Sequence, residues 1–131
     1  MVQPVAYRPR SLKILLVEDR SDLAAMYLLA FEAEGLETKI ATTGTEGVAL
    51  AESGWPQLIV LDVLLPDMDG FAVFDAIRKK RIDVPVVFLT VSEDKETVQR
   101  AMDLGAADFL VKPRIKPSDV VRRIRSHLNG G

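Results

Sequence analysis

Four short runs of apolar residues, none broken by a polar side chain, constrain the fold of this chain more than any other feature. They are Ile14-Leu15-Leu16-Val17, Leu58-Ile59-Val60-Leu61, Val86-Val87-Phe88-Leu89 and Phe109-Leu110-Val111. Each has the length of a strand, and a strand that is apolar at every position is covered on both faces, as in a parallel sheet. Segments of helical period separate them. Leu23, Met26, Tyr27, Ala30 and Phe31 recur at i, i+3, i+4, i+7 and i+8, which predicts a helix from about Ser21, its cap, to Glu34, with Gly35 as its stop.

A short strand over 37–41 follows, and Thr43 with Glu46 forms a capping box for a helix reaching about Ser53. Trp55-Pro56 turns the chain into the next strand. Phe71, Phe74, Ala76 and Ile77 mark a third helix, Val98, Ala101, Met102 and Gly105 a fourth, and Val120, Val121, Ile124 and Leu128 a fifth. Five strands alternating with five helices require right-handed crossovers, so the expected architecture is a three-layer α/β sandwich around a mostly parallel sheet. The connections are short and no Pro/Gly/Ser-rich linker divides the chain. The expected organisation is a lead-in over 1–10, one domain over 11–129 and a tail over 130–131.

With 131 residues, 48% hydrophobic and 27% charged, the chain matches one globular domain. No stretch approaches a spanning helix, and the start lacks the apolar centre of a secretory signal. The absence of cysteine removes disulfides, a thiolate nucleophile and cysteine metal sites, and is compatible with the cytoplasm, the expected location. A net charge of -2 offers no general attraction to nucleic acid or to anionic lipid.

The ends of the apolar runs carry the chemistry. The first ends in Glu18-Asp19, the second in Asp62, the third in Thr90 and the fourth in Lys112. In a parallel sheet these ends share one edge, and ligand sites in open α/β sheets lie beyond it. Two like charges about 4 Å apart repel by roughly 4 kcal/mol at an effective dielectric of 20, so clustered carboxylates need protons or a cation. Oxygen-only donors favour Mg²⁺, which keeps positions open for water and phosphate. Lys112 adds a cation and Thr90 a neutral donor, a set suited to a phosphoryl group. A carboxylate can itself be the nucleophile, giving an aspartyl phosphate. Taken singly, each of these residues reads as a turn, cap or solvated residue. Their joint occurrence at four core-strand ends carries the functional reading.

Glu18-Asp19, then Asp62 with Pro66-Asp67-Met68-Asp69-Gly70, then Thr90, then Lys112-Pro113 are separated, from Asp19 onward, by 43, 28 and 22 residues. In this order and spacing the set resembles the receiver domain of bacterial two-component response regulators, over about 12–128. The resemblance implies a flavodoxin-like (βα)5 fold of strand order 2-1-3-4-5 and a cis peptide before Pro113. It implies that Asp62 accepts phosphate from a histidine kinase or histidine phosphotransfer protein, with Thr90 and Lys112 holding the phosphate. Mg²⁺ would be bound by Asp19, Asp62 and the backbone carbonyl of Leu64, with Glu18 acting through water. Thr90 and Phe109 would form a switch that alters the surface of the fourth helix, fifth strand and fifth helix, where a downstream protein, a fused output domain or a second copy docks. Such a domain is acted upon, and catalyses only its own phosphorylation and dephosphorylation.

Val91 is larger than the small residue the family places after its threonine, which implies slowed access to Asp62. Leu64 and Ser92 flank the phosphate in that family and would tune its hydrolysis. A competing reading is an interaction module of receiver shape that never takes phosphate, with the bulk of Val91 as its motive. An aspartate-nucleophile phosphatase would want an acid where Leu64 stands, and a dinucleotide site would want G-x-G-x-x-G after the first strand. His127, the basic run Arg78 to Arg81 and Arg122, Arg123 and Arg125 read as solvated helix surface, and Trp55 as loop packing. Asn129-Gly130-Gly131 reads as an ending, whether of a free-standing regulator or of a receiver cut from a longer protein.

Overall fold

The computed structural model describes residues 11–91, 94–112 and 115–128. The lead-in over 1–10, the tail, Ser92 and the peptide before Pro113 lie outside them. Strands β1 (Leu12–Val17), β2 (Leu36–Ala41), β3 (Leu58–Leu61), β4 (Val86–Thr90) and β5 (Asp108–Val111) alternate with helices α1 (Ser21–Ala33), α2 (Gly44–Glu52), α3 (Gly70–Lys79), α4 (Lys95–Asp103) and α5 (Pro117–Leu128). All pairs are parallel, in the order β2-β1-β3-β4-β5. This is the flavodoxin-like sandwich.

Alternating residues of the central strands feed two cores. Leu15, Val17, Ile59, Leu61 and Phe88 face Phe71, Phe74 and Ile77 of α3 and Ala101 of α4. Ile14, Leu16, Leu58, Val60, Val87 and Leu89 face Tyr27 and Phe31 of α1 and Val120, Val121 and Ile124 of α5. Leu15, Leu16, Ile59, Leu61 and Phe88 are essentially inaccessible, and burial stabilises by about 25 cal/mol per Å² of apolar surface removed from water on both faces of the strands.

Several local expectations are corrected. Ser21 is the first residue of α1, and Arg20 takes the cap position in an extended conformation with no side-chain cap bond. Ala24 occupies the buried place assigned to Met26, which is 42% exposed, and Met102 of α4 is exposed as well. Helix α1 is apolar around most of its circumference, so its period alone leaves the buried side undecided. Gly35 ends α1 at φ 81, a conformation in which a Cβ is costly. Thr43 caps α2 by accepting from the Glu46 amide, while the Glu46 carboxylate takes the N–H of Thr42 instead of that of Thr43.

Candidate functional site

Register brings the acids together. Val17 of β1 is level with Leu61 of β3, so Glu18 and Asp62, the next residues of each chain, emerge side by side. The backbone holds both, with the Glu18 amide donating to the Ala41 carbonyl at 2.9 Å and the Asp62 amide to Val17 at 3.1 Å. Carboxylate oxygens of Glu18, Asp19 and Asp62 all lie within 4.8 Å of one another. Glu18 and Asp62 are buried and Asp19 is exposed, so the cluster opens to solvent on one side. Thr90 pairs with Val111 across β4 and β5, and the Lys112 amide donates to the Thr90 carbonyl, which brings the Lys112 side chain in from the far edge.

The ammonium of Lys112 donates to Glu18 Oε1 at 2.7 Å and lies 3.7 Å from Asp62 Oδ2. Burial raises the Glu18 carboxyl above its ordinary value; the Lys112 hydrogen bond opposes this, and the charge of Asp62 adds to it. The Thr90 hydroxyl is buried without a hydrogen-bond partner, the single such side-chain atom among the described residues. A buried orphan hydroxyl is costly unless a ligand or water meets it. Three clustered oxygen donors with one solvent-open side fit a hard divalent cation that retains water ligands.

The loop from Val63 to Asp69 is held close to the acids. Asp62 Oδ1 accepts from the Leu64 amide at 3.2 Å, and Gly70 returns its N–H to the Val63 carbonyl at 2.7 Å. A Cβ at Gly70 would lie 2.3 Å from the Asp62 carbonyl oxygen, so only glycine allows this approach. The Leu64 and Val91 side chains are 61% and 57% exposed at the mouth. Val91 lines a groove of about 450 Å³ with Leu23, Met26, Tyr27 and Lys112 among its other walls.

Phe109 is half-buried on β5, with its ring centroid 6.1 Å from that of Phe88, which also meets Phe71 and Phe74. The Arg100 guanidinium covers the Phe71 ring at 4.4 Å. At the far end of the sheet His127 departs from the solvated expectation, whereas Arg122 and Arg123 are exposed as expected. His127 Nε2 lies 2.9 Å from Asp108, and Arg123 forks onto the same carboxylate at 2.9 and 2.7 Å, so these residues fasten α5 to β5. Arg125 reaches the Glu34 carbonyl and Arg122 pairs with Asp119. Trp55 carries Lys39 over its ring at 4.5 Å beside Lys13 and Gln57, at the opposite end of the strands from Asp62.

Sequence reasoning missed Tyr27 as a neighbour of the site. Burial raises its phenol above the ordinary value and the charge of Glu18 adds to the effect. A polar-tipped aromatic on the core side of α1 was the available signal. No helix among the described residues is long and apolar enough to cross a membrane.

The model of the response regulator receiver domain matches residues 14–125. The DNA-binding response regulator MtrA of Mycobacterium tuberculosis is 36% identical over 118 residues, which are 88% of this chain and 50% of that protein. The chain thus spans about half the length of such curated relatives. A CheY-like receiver domain protein from Methanospirillum hungatei superposes with a TM-score of 0.86 at 28% identity, covering 92% of this chain and 96% of that one. The BeF3-activated DrrB receiver domain gives 0.80 at 27% identity, covering 92% and 99%.

Proposed function

This chain belongs to the response regulator receiver domain family, and from that premise we propose that it is a phosphorylation-dependent switch whose acceptor is Asp62. The carrying observation is the placement of its carboxylate 3.7 Å from the Lys112 ammonium, in a cluster with Glu18 and Asp19. The phosphodonor is a phosphohistidine on a histidine kinase or histidine phosphotransfer protein. A carboxylate oxygen of Asp62 attacks phosphorus, the P–N bond breaks, and its electron pair passes to the imidazole nitrogen, which takes up a proton. Lys112 and the free hydroxyl of Thr90 bind the phosphoryl oxygens.

Asp19, Asp62 and the Leu64 carbonyl would hold Mg²⁺, with Glu18 acting through water, and the ion supplies positive charge to the phosphoryl oxygens when bound. Lys112 leaves Glu18 in part to meet the phosphate, and Thr90 turns toward it. Phe109 then moves further over Phe88, altering the face of α4, β5 and α5 for a downstream protein, a fused output domain or a second copy. The domain catalyses only its own phosphorylation and dephosphorylation, and its setting is the cytoplasm. Leu64, Val91 and Ser92 set how fast phosphate arrives and leaves.

Intact mass after incubation with an acyl phosphate and Mg²⁺ tests this reading. One added phosphate is expected, and none on Asp62→Asn. Beryllofluoride, present in the activated DrrB structure, should shift the resonances of Thr90 and Phe109. No uptake under forcing conditions would leave a phosphorylation-independent interaction module.

A further inference from the structure

We infer that Asp67 is a positioning residue for the cation site, clasping the loop that carries Leu64 to the start of α2. The inference rests on the reading of Asp62, Asp19 and the Leu64 carbonyl as cation ligands. Asp67 Oδ1 accepts the Gly44 amide at 2.7 Å, and Oδ2 accepts the Thr45 amide at 2.9 Å and the Thr45 hydroxyl at 2.6 Å. A second contact lies at the same junction. A Cβ at Gly44 would meet Met68 Cγ at 2.4 Å and Val73 Cγ2 at 2.8 Å, so α2 begins pressed against the loop.

These bonds do more than cap a helix. The first amides of a helix lack internal partners, and in α2, whose first internal bond runs from the Gly47 amide to the Thr43 carbonyl, the Thr43 hydroxyl serves the amide of Glu46. Asp67 serves the amides of Gly44 and Thr45 from 23 and 22 residues away in sequence. Water could satisfy the exposed amide of Thr45, but water would not hold the loop. Between Leu64 and Asp69 the hydrogen bonds among the described residues run to Asp62, to the α3 cap and, through Asp67, to α2. Asp67 is therefore the loop's hydrogen-bonded tie to a separate element.

The element it grips is one the site also uses. Helix α2 follows directly from β2, whose last residue, Ala41, accepts the Glu18 amide. Asp67 thus links the backbone that presents Leu64 to the segment that anchors Glu18, and closes the frame around the three acids. Releasing it lets the Leu64 carbonyl drift while Asp19 and Asp62 stay beyond the ends of their strands. Groups that orient a ligand from behind typically matter about tenfold or more in metal affinity.

The test is titration of the protein with Mg²⁺ alone, followed by nuclear resonance, together with amide hydrogen exchange. Asp67→Ala should weaken the Mg²⁺ dissociation constant by about tenfold and speed exchange at the Leu64 amide, while the central-strand amides keep their protection. Thr45→Ala, on α2 and away from the ion, should give a smaller loss that is not additive with the first. An unchanged dissociation constant in Asp67→Ala overturns the inference. So does a loss matched by uniformly faster exchange across the sheet, which is general destabilisation. Absence of any Mg²⁺ response in the unaltered protein overturns both the inference and the cation-site reading beneath it, whereas Mg²⁺ binding without phosphate uptake overturns the reading of Asp62 as phospho-acceptor and leaves the inference standing.

Discussion

Lys112 Nζ lies 2.7 Å from Glu18 Oε1, and both side chains are almost wholly buried. The pair joins the end of β1 to the end of β5 across the width of the site. An ammonium read from sequence as a phosphate ligand is thus also the counter-ion of a buried carboxylate.

Removing that counter-ion should show as a pH-dependent loss of stability. Burial raises the Glu18 carboxyl, so its ionised form opposes folding once pH rises through the folded value, and Lys112 offsets this. Lys112→Met should cost roughly 1 to 3 kcal/mol near neutrality and less in acid, where Glu18 takes up a proton. Urea midpoints at several pH values check this. A gap that does not widen with rising pH would remove Glu18 from the explanation.

Gly70→Ala tests the closeness of the loop. The new methyl would face the Asp62 carbonyl oxygen at 2.3 Å and the Val63 Cα at 2.9 Å, backbone atoms that cannot swing aside. A loss of about 2 to 3 kcal/mol is expected from overpacking, read as a lower denaturation midpoint, with weaker Mg²⁺ binding.

Acid should undo the Asp67 clasp. The Thr45 hydroxyl, then the Thr45 and Gly44 amides, hold its carboxyl at about 2, down from 3.8. A lowered carboxyl stabilises the fold above its unfolded value and loses that contribution as pH falls through the folded one. The stability gap between the unaltered protein and Asp67→Asn should be full above pH 3.8 and should close toward about 2. Thermal melts across that window measure it.

Val91 sits in one groove wall with Lys112 and Tyr27. Val91→Ala should speed phosphate uptake from an acyl phosphate by roughly threefold, less than 1 kcal/mol of barrier. The growth of the phosphorylated mass with time reads the rate. An unchanged rate would place Val91 outside the approach path.

Much of this fold is written in residue type alone. Strands apolar at every position, such as Leu58 to Leu61, announce burial on both faces, and alternation with helical segments then demands a parallel sheet. The order 2-1-3-4-5 came from the resemblance, because alternation does not rank the strands. The acids were legible because they directly follow such runs. Other features depend on tertiary distance. Nothing near His127 or Arg123 in sequence points to Asp108, 19 and 15 residues earlier, so neither pairing was legible, although Arg123 is exposed as expected. Ser21 was misjudged because capping depends on backbone angles, and at Arg20 the chain is already extended for the turn. Asp67 stood in plain view within a turn-rich stretch, but its partners Gly44 and Thr45 belong to another helix.

Strand β5 pairs with β4 alone, whereas β1 and β3, which end in the acids, have neighbours on both sides. The sheet is therefore paired on both sides where charge is gathered and on one side at its rim. Under the proposed switch, a displacement of Thr90 would reach this margin through its pairing with Val111 and the Lys112 amide that its carbonyl accepts.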